Sequence, residues 1–254
     1  MEILFILIYQ PIYNALIGLY SIFDDFGIAI IILTLIIKFA LIPLSRKQIE
    51  SQKEMQEIQP KIKELQNKYK NDKEKLTKET MALYKKHKVN PAAGCLPLII
   101  QMVIFITMYR VIINLSNNHH LSVNTEHLYA FIPQPDAING FFIGFMNLAE
   151  PFAAIAVITA AAQFYQLKMM QVKNEQNIEK TPAKKSDDKK TDELDFATIM
   201  QKQMLFIVPI MTLFIGLKFP SGLTLYWLTS TVFMIAQQWI VMHKEKKMTE
   251  EQPK

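Results

Sequence analysis

Long blocks of apolar residues, separated by charged segments, limit what this chain can fold into more than any other feature. Half of its 254 residues are hydrophobic, and they are concentrated in these blocks. Blocks of about 18 or more mostly apolar residues are typical of transmembrane helices, because a bilayer core takes roughly 20 helical residues to cross. The sequence therefore predicts an all-α membrane protein, a bundle of five spans at residues 26–44, 95–115, 141–167, 199–217 and 223–242.

The distribution of Lys and Arg predicts the orientation of these spans. Residues 46–90 contain thirteen Lys and Arg against seven Asp and Glu, whereas residues 1–27 and the 116–140 loop contain no Lys or Arg. Segments rich in Lys and Arg stay in the cytoplasm. The N-terminus and the 116–140 loop are therefore predicted outside, and the basic tail 243–254 in the cytoplasm.

The first 25 residues are predicted to form an extracytoplasmic helix that lies on the membrane surface. Pro11 suits a first helical turn, and Ile12, Leu16, Leu19 and Phe23 form one apolar stripe. The opening "MEILFILIYQ" lacks the positive start of a signal peptide, so we expect no cleavage. The alternative is a sixth span with the N-terminus inside.

Residues 45–90 predict a cytoplasmic helical hairpin rather than a solvated spacer. The turn signal "KNDKE" at residues 70–74 separates two helical stretches. An apolar seam with heptad-like spacing supports the first of them: Met55, Ile58, Ile62, Leu65 and Tyr69. Residues 171–195, in contrast, are polar, mixed in charge and poor in aromatics, which predicts a flexible cytoplasmic loop.

Sequence motifs for common enzyme chemistry and for bound cofactors are missing. The chain has no phosphate loop, GxSxG elbow or HExxH motif, so we expect neither an enzyme nor a cofactor. The single cysteine, Cys95, excludes a disulfide within the chain. His119, His120 and His127 match no standard metal spacing, and we interpret them as polar loop residues.

One charged residue, Lys38, lies inside the first predicted span, in "LTLIIKFALIPL". A Lys at the centre of a span costs about 2.5–3.5 kcal/mol and normally faces protein or water. No acid lies in the cytoplasmic half of the spans to pair with it, which favours a hydrated cavity; the alternative is that Lys38 extends to the interface. Other polar or amphipathic side chains in the spans are Gln101, Thr159, Gln163, Trp227, Ser230, Thr231 and Gln237.

Two further charged residues, Arg110 and Glu150, fall in the outer halves of their predicted spans. Opposite charges at similar depth on different helices predict an interhelical ion pair. Such a pair would close the outer half of the bundle, and its role would be structural rather than catalytic.

Several sequence blocks resemble the YidC-type membrane protein insertases. These are "FGIAIIILTLIIKFALIPL" followed by "MQEIQPKIKELQNKY", then "MALYKKHKVNPAAGCLPLIIQMVIFITMY", and finally "FPSGLTLYWLTSTVFMIAQQ". The likeness runs in order from Pro11 to Gln238. It implies five spans around a hydrophilic groove that opens to the cytoplasm and to lipid, in a bacterial cell membrane.

The resemblance also implies a function and a set of groove residues. The family inserts newly made membrane proteins without nucleotide hydrolysis. The resemblance implies that Lys38 is the groove cation and that Gln163 and Trp227 line the groove. The family commonly has Arg where this chain has Lys38 and often Asn at Thr231, and some members carry a large extracytoplasmic domain that this sequence lacks.

The expected partners follow from the same resemblance. They are nascent membrane proteins, the lipid bilayer, ribosomes and targeting factors at the 45–90 hairpin, and the Sec translocon. A small-solute transporter or channel is the alternative function, although the sequence shows no internal repeat of the kind common in transporters. A purely structural membrane subunit is a third interpretation, but it would not need an unpaired Lys38.

Overall fold

The computed structural model describes residues 5–70, 72–87, 89, 96–117, 120–121, 127–135, 137–178 and 196–250. Most of these residues are helical, as the sequence predicts. Cys95, His119 and the part of the predicted loop at 179–195 lie outside the described residues.

The N-terminal helix packs one of its faces against the rest of the protein. A π-helical turn, Phe5–Tyr9, leads into helix α1, Gln10–Phe23, with Pro11 in its first turn. Phe23, from the stripe that is predicted to face the membrane, is 45% exposed, and whether that stripe contacts lipid stays a prediction. The buried face holds two tyrosines, whose hydroxyls need partners when buried; its members are Tyr13, Asn14, Leu16, Ile17 and Tyr20.

The predicted first span is divided at Leu41. Helix α2, Phe26–Ala40, begins at Asp25, whose side-chain Oδ1 accepts a hydrogen bond from the Ile28 N–H at 3.0 Å. Leu41 ends α2, and helix α3, Ile42–Lys68, begins at the next residue. Pro43 falls in the first turn of α3, where a missing N–H costs nothing.

Helices α3 and α4 occupy the predicted hairpin and pack against each other. Helix α4, Lys73–Lys86, is capped by Asp72, whose carboxylate accepts a hydrogen bond from the Lys75 N–H at 2.9 Å. Ile58 of the predicted seam is 3% exposed. Lys61 Nζ lies 3.1 Å from His87 Nε2, which connects α3 to the end of α4.

Two short antiparallel hairpins follow helix α5, Leu96–Leu115. Strands β1, Ser116–Asn117, and β2, His120–Leu121, form the first. Strands β3, Phe141–Phe142, and β4, Met146–Asn147, form the second, with Phe141 opposite Asn147 and Phe142 opposite Met146.

The third predicted span starts too early in the sequence. Residues 141–147 form the second hairpin, and helix α6, Ala153–Ile178, begins well after Phe141. Ile143 and Gly144 have positive φ values of 49° and 76°, which turn the chain, and Pro151 has no N–H to continue a helix. Helix α6 also extends past Gln171, the predicted start of the loop.

The last two helices overlap the last two predicted spans. Helix α7 runs Phe196–Gly216 and helix α8 runs Ser221–Glu250, well beyond Met242. A Cβ on Gly216 would lie 2.8 Å from Ala156 Cβ, so two small residues let α7 and α6 approach closely here.

The chain divides into two compact units. One contains Met1–Leu41, Gln101–Gln166 and Val208–Lys254, and in it α2 packs on both α1 and α8. The other contains Ile42–Ile100 and Leu167–Ile207, including the α3–α4 hairpin.

Within the described part of the chain, one helical stretch is by itself long and apolar enough to cross a membrane, Ile6–Phe23. Phe26–Ala40 and Ile42–Ser51 together pass the same test as a broken span, and Ile99–Leu115 and Leu205–Gly216 are shorter apolar helices. The five-span bundle and the choice between an interfacial and a spanning N-terminal helix stay predictions.

Candidate functional site

Lys38 is buried in the last turn of α2. Its side chain is 8% exposed, and Nζ donates a hydrogen bond to Gln101 Oε1 at 2.9 Å. The free carbonyls and negative dipole end of a helix favour a cation in the last turn. Within the described part of the chain, no carboxylate contacts Lys38. The polar partner of Lys38 in the described part of the chain is therefore a neutral amide, which does not offset a positive charge.

Gln101, in α5, connects Lys38 to helix α8. Its Oε1 also lies 3.4 Å from the hydroxyl of Ser230, and its Nε2 donates to the Tyr226 hydroxyl at 2.9 Å. Gln101 thus uses both ends of its amide. We call Lys38, Gln101, Tyr226 and Ser230 the Lys38 cluster.

A second polar cluster joins α6 to α8. Gln163 Oε1 accepts a hydrogen bond from Trp227 Nε1 at 3.3 Å and lies 3.4 Å from the Thr231 hydroxyl, which donates to the nearer Trp227 carbonyl at 2.9 Å. The Trp227 ring packs edge-on against Phe105, with centroids 5.2 Å apart. Thr231 and Trp227 lie one helical turn apart, so a single face of α8 serves this cluster.

The polar face of α8 continues beyond the two clusters. Gln166 Nε2 lies 3.6 Å from Met234 Sδ. Gln237 Nε2 is buried and, among the described residues, has no hydrogen-bond partner. Residues 227, 230, 231, 234 and 237 recur at helical spacing, so this row of polar and sulfur-containing side chains lies along one face of α8.

Threonine hydroxyls in the helices bond mainly to their own backbone. Thr159 Oγ1, for example, donates to the Ile155 carbonyl at 2.6 Å, and the side chain is fully buried. Its hydroxyl is satisfied four residues back, so the structure does not bring Thr159 into either cluster. The same bond is made by Thr34, Thr107, Thr212, Thr229 and Thr231.

Arg110 and Glu150 are not part of these clusters. Arg110 lies in α5 and Glu150 precedes α6; both side chains are exposed. The Glu150 carbonyl accepts a hydrogen bond from the Ser221 N–H at 2.8 Å, which connects it to the start of α8. The ion pair between the two side chains stays a prediction.

No metal centre emerges from the residues that the structure describes: they contain no group of three His, Cys, Asp or Glu placed to hold an ion. His127 packs edge-on against the rings of Tyr9 and Tyr13, at 5.9 and 6.4 Å between centroids. It is therefore a packing residue, not the free loop residue that the sequence suggests.

Sequence reasoning missed Tyr226. In the sequence, Tyr226 resembles the other apolar residues of its span. In the structure, its hydroxyl accepts a hydrogen bond from Gln101 and its side chain is 1% exposed. A signal was present: Tyr226 lies four residues before Ser230, which places both on one face of α8.

Comparisons of this sequence with a family model and with known proteins point to one family. Residues 18–250 match the family model described as 60Kd inner membrane protein. The chain is 33% identical over 220 residues to "Membrane protein insertase YidC" of Fusobacterium nucleatum, covering 87% of each chain. It is 33% identical over 241 residues to the protein of the same name from Lawsonia intracellularis, covering 95% of this chain and 40% of that one.

A third relative with that name, from Syntrophus aciditrophicus, is 35% identical over 234 residues, which are 91% of this chain and 36% of the relative. A solved structure, "Active YidC insertase crystal structure with the first transmembrane domain resolved", matches with a TM-score of 0.54 and 26% identity. It covers 90% of this chain and 46% of that chain. The chain thus spans most of one relative and less than half of the others.

Proposed function

This chain belongs to the 60Kd inner membrane protein family, which includes the YidC insertases, and from that premise we propose that it inserts newly made proteins into the bacterial cell membrane. Its substrates are nascent membrane proteins. It uses no nucleotide hydrolysis; the energy comes from the partition of the substrate itself.

The observation that carries this proposal is the neutral environment of the Lys38 ammonium. The structure pairs it with the amide of Gln101, at 2.9 Å, rather than with a carboxylate. An ion pair with a structural role would cancel the charge of Lys38. The substrate site of a transporter would need a path for the solute through the protein. A buried cation whose partner, among the described residues, is a neutral amide is suited to attract a passing anionic group.

The first step of the mechanism is electrostatic. Attraction between Lys38 and an acidic substrate side chain is stronger in a partly desolvated groove than in bulk water, because the effective dielectric constant is lower. The carboxylate replaces the Gln101 oxygen at the ammonium, and Gln101 keeps Tyr226 and Ser230 as partners. The polar outer segment of the substrate is thereby drawn part of the way across the membrane.

The second step makes the substrate move from the groove into the bilayer. The apolar helix of the substrate leaves the groove sideways into lipid, where burial of its surface contributes about 25 cal/mol per Å². The groove lowers the barrier for the polar segment, and the hydrophobic effect makes the inserted state favourable.

The architecture that we propose has five spans around the groove, with a groove lining drawn from four helices. The proposed lining is Lys38, Gln101, Thr159, Gln163, Trp227, Ser230 and Thr231. Thr159 has the weakest support, because its hydroxyl is bound within α6. Arg110 and Glu150 are proposed to pair near the outer end, and the N-terminal helix to lie on the outer surface.

The α3–α4 hairpin is proposed to meet ribosomes and targeting factors. Its exposed Lys side chains, such as Lys61 and Lys73, provide the positive charge that attracts ribosomal RNA. The Sec translocon is a further proposed partner. Normal insertion by a chain that lacks residues 52–85 would exclude a required role for the hairpin.

The test of the proposed function is insertion of two matched single-span substrates into vesicles that contain the purified chain. One substrate has an acidic outer segment and the other a neutral one. We expect Lys38→Arg to retain most activity, Lys38→Leu to lose the acidic substrate selectively, and Lys38→Glu to be worst for it. The effect should be on the order of tenfold, the factor that corresponds to roughly 1.4 kcal/mol.

Two outcomes would contradict the proposal. Equal insertion of the acidic substrate by wild type and Lys38→Glu would exclude the electrostatic step. Equal insertion of both substrates with and without the protein would exclude the insertase function. Flux of small solutes without insertion would instead support the transporter alternative.

A further inference from the structure

Asn14, near the middle of α1, binds the backbone of a distant segment with both ends of its amide. The segment, residues 127–135 and 137–150, is called the cover segment here. Asn14 Nδ2 donates to the His127 carbonyl at 2.8 Å, and Oδ1 accepts from the Tyr129 N–H at 2.6 Å. The side chain is 2% exposed. The Asn14 amide therefore gives the His127 carbonyl and the Tyr129 N–H the hydrogen-bond partners that a neighbouring strand would give them in a sheet.

Two more side chains continue this pattern along the cover segment. The Tyr20 hydroxyl accepts from the Asn139 N–H at 2.8 Å and lies 3.3 Å from the Ala137 carbonyl. Asp25, which caps α2 with one oxygen, accepts from the Ile143 N–H at 2.8 Å with the other. The N-terminal helix and Asp25, which lies between α1 and α2, therefore bind the cover segment at three places.

The far end of the cover segment is bound to the start of α8. The Ser221 hydroxyl donates to the Asn147 carbonyl at 2.6 Å, and the Gly222 N–H donates to the Leu148 carbonyl at 3.0 Å. The cover segment thus joins the first turns of α2 and α8, the helices that carry Lys38 and Trp227. Lys38 lies thirteen residues after Asp25, about 20 Å along α2 at 1.5 Å per residue.

The cover segment has little regular structure of its own. Apart from the short β3–β4 hairpin its described residues form turns and irregular backbone. Backbone groups that are buried without partners are costly. Its position therefore depends on side chains from elsewhere, and Asn14 satisfies two backbone groups at once.

We propose that Asn14 is a positioning residue that holds the cover segment closed over the outer end of the groove, and that the outer segment of a substrate passes when the cover segment separates from Asn14. This inference rests on the proposed function, because only an insertase has such an outer segment to pass. The contact between the N-terminal helix and the cover segment then forms the barrier that closes the outer end of the groove.

The experiment measures access from outside to a residue below the cover segment. Thr34, in α2 between Asp25 and Lys38, is 1% exposed and serves as the reporter. In a Cys95→Ser, Thr34→Cys chain, a membrane-impermeant maleimide should label slowly. Asn14→Leu, which keeps a side chain branched at Cγ but loses the hydrogen bonds, should raise the labelling rate on the order of tenfold, as expected when a buried polar group loses its partner.

A second variant and a matched control keep the test specific. Tyr20→Phe removes only the hydroxyl and should raise the rate several-fold. Ser21 lies on the same helix, and its hydroxyl donates mainly to the Ile17 carbonyl, at 3.0 Å. Its contact with the cover segment, 3.5 Å to the Pro133 carbonyl, is longer than those of Asn14 and Tyr20, so Ser21→Ala should change the labelling rate far less than Tyr20→Phe. The thermal midpoints of all variants are measured in detergent to detect general unfolding.

Insertion provides the functional measurement. With neutral substrates, the ratio of long to short outer segments inserted should rise in Asn14→Leu and Tyr20→Phe. An unchanged labelling rate in both variants, or an equal rise in Ser21→Ala, would overturn the proposal. If wild type inserts no substrate at all, the proposed function fails instead, whatever the labelling shows.

Discussion

At the scale of single residues, the Lys38 cluster is arranged so that its charge is held but not cancelled. Gln101 Oε1 lies within hydrogen-bonding distance of two donors, Lys38 Nζ and the Ser230 hydroxyl, while its Nε2 is bound to Tyr226. A carboxylate at the same place would form an ion pair that a substrate must break. A neutral amide costs much less to displace.

This contrast leads to a prediction for residue 101. Gln101→Glu should pair with Lys38 and lower insertion of the acidic substrate on the order of tenfold, because a partly buried ion pair resists exchange. Gln101→Leu removes the partner but leaves the charge, so the preference for the acidic substrate should persist. Insertion of the matched acidic and neutral substrates is the measurement. An equal loss in both variants would mean that Gln101 acts only through packing.

At the scale of the helices, two glycines of the first unit have different surroundings. A Cβ on Gly27, in α2, would collide with the side chain of Phe142 in β3. A Cβ on Gly18, in α1, would meet only Ile132 Cδ1 at an ordinary 3.5 Å. Gly27 therefore allows the second hairpin to approach α2, whereas Gly18 has no such role.

We expect Gly27→Ala to destabilise the protein by about 1–3 kcal/mol, the usual cost of inserting a methyl group into a packed site. Gly18→Ala, its control, should be neutral or stabilising, because Ala favours a helix by up to about 1 kcal/mol over Gly. Thermal unfolding in detergent compares the two. A midpoint for Gly27→Ala at or above that of wild type would show that Phe142 moves away without cost.

Helix positions were predictable where apolar blocks end at strong breakers, and less so elsewhere. The start of α2 at Phe26 and the turn before α8 follow directly from Asp25 and from the Pro–Ser–Gly sequence. The start of α6 was not predictable, because "FFIGFMNLA" is as apolar as a span and only its positive φ values show the turn. Lys38 and Gln163 were identifiable as isolated polar residues, but Asn14 was not, since its partners lie more than one hundred residues away.

At the scale of the whole molecule, hydrogen bonds constrain the orientation of the N-terminal helix. Asn14 and Tyr20 bind the cover segment at residues that lie within the predicted outer loop, 116–140. Both should therefore lie on the same side of the membrane as that loop. This supports an outer position for α1, as in the interfacial alternative.

Cysteine labelling in a Cys95→Ser chain tests this orientation. We expect a cysteine at Asn117 to label from outside and one at Lys73 only from the cytoplasm, by the distribution of Lys and Arg. A cysteine at Glu2 should label from outside if the N-terminal helix lies on the surface. Cytoplasmic labelling at Glu2 would establish a sixth span, and external labelling at Lys73 would invert the topology.

The self-bonded threonines of the helices have a consequence for the range of clients. Because hydroxyls such as that of Thr159 are bound to their own helix, we expect the amides of Gln101, Gln163 and Gln237, under the proposed function, to be the groups that meet a passing polypeptide. An amide both donates and accepts, so it can pair with the main chain of any extended segment and ignores the order of its side chains. The glutamines would then bind substrates of any sequence, and the Lys38 ammonium would select the acidic ones. Scrambling a neutral outer segment at constant composition should therefore leave its insertion unchanged.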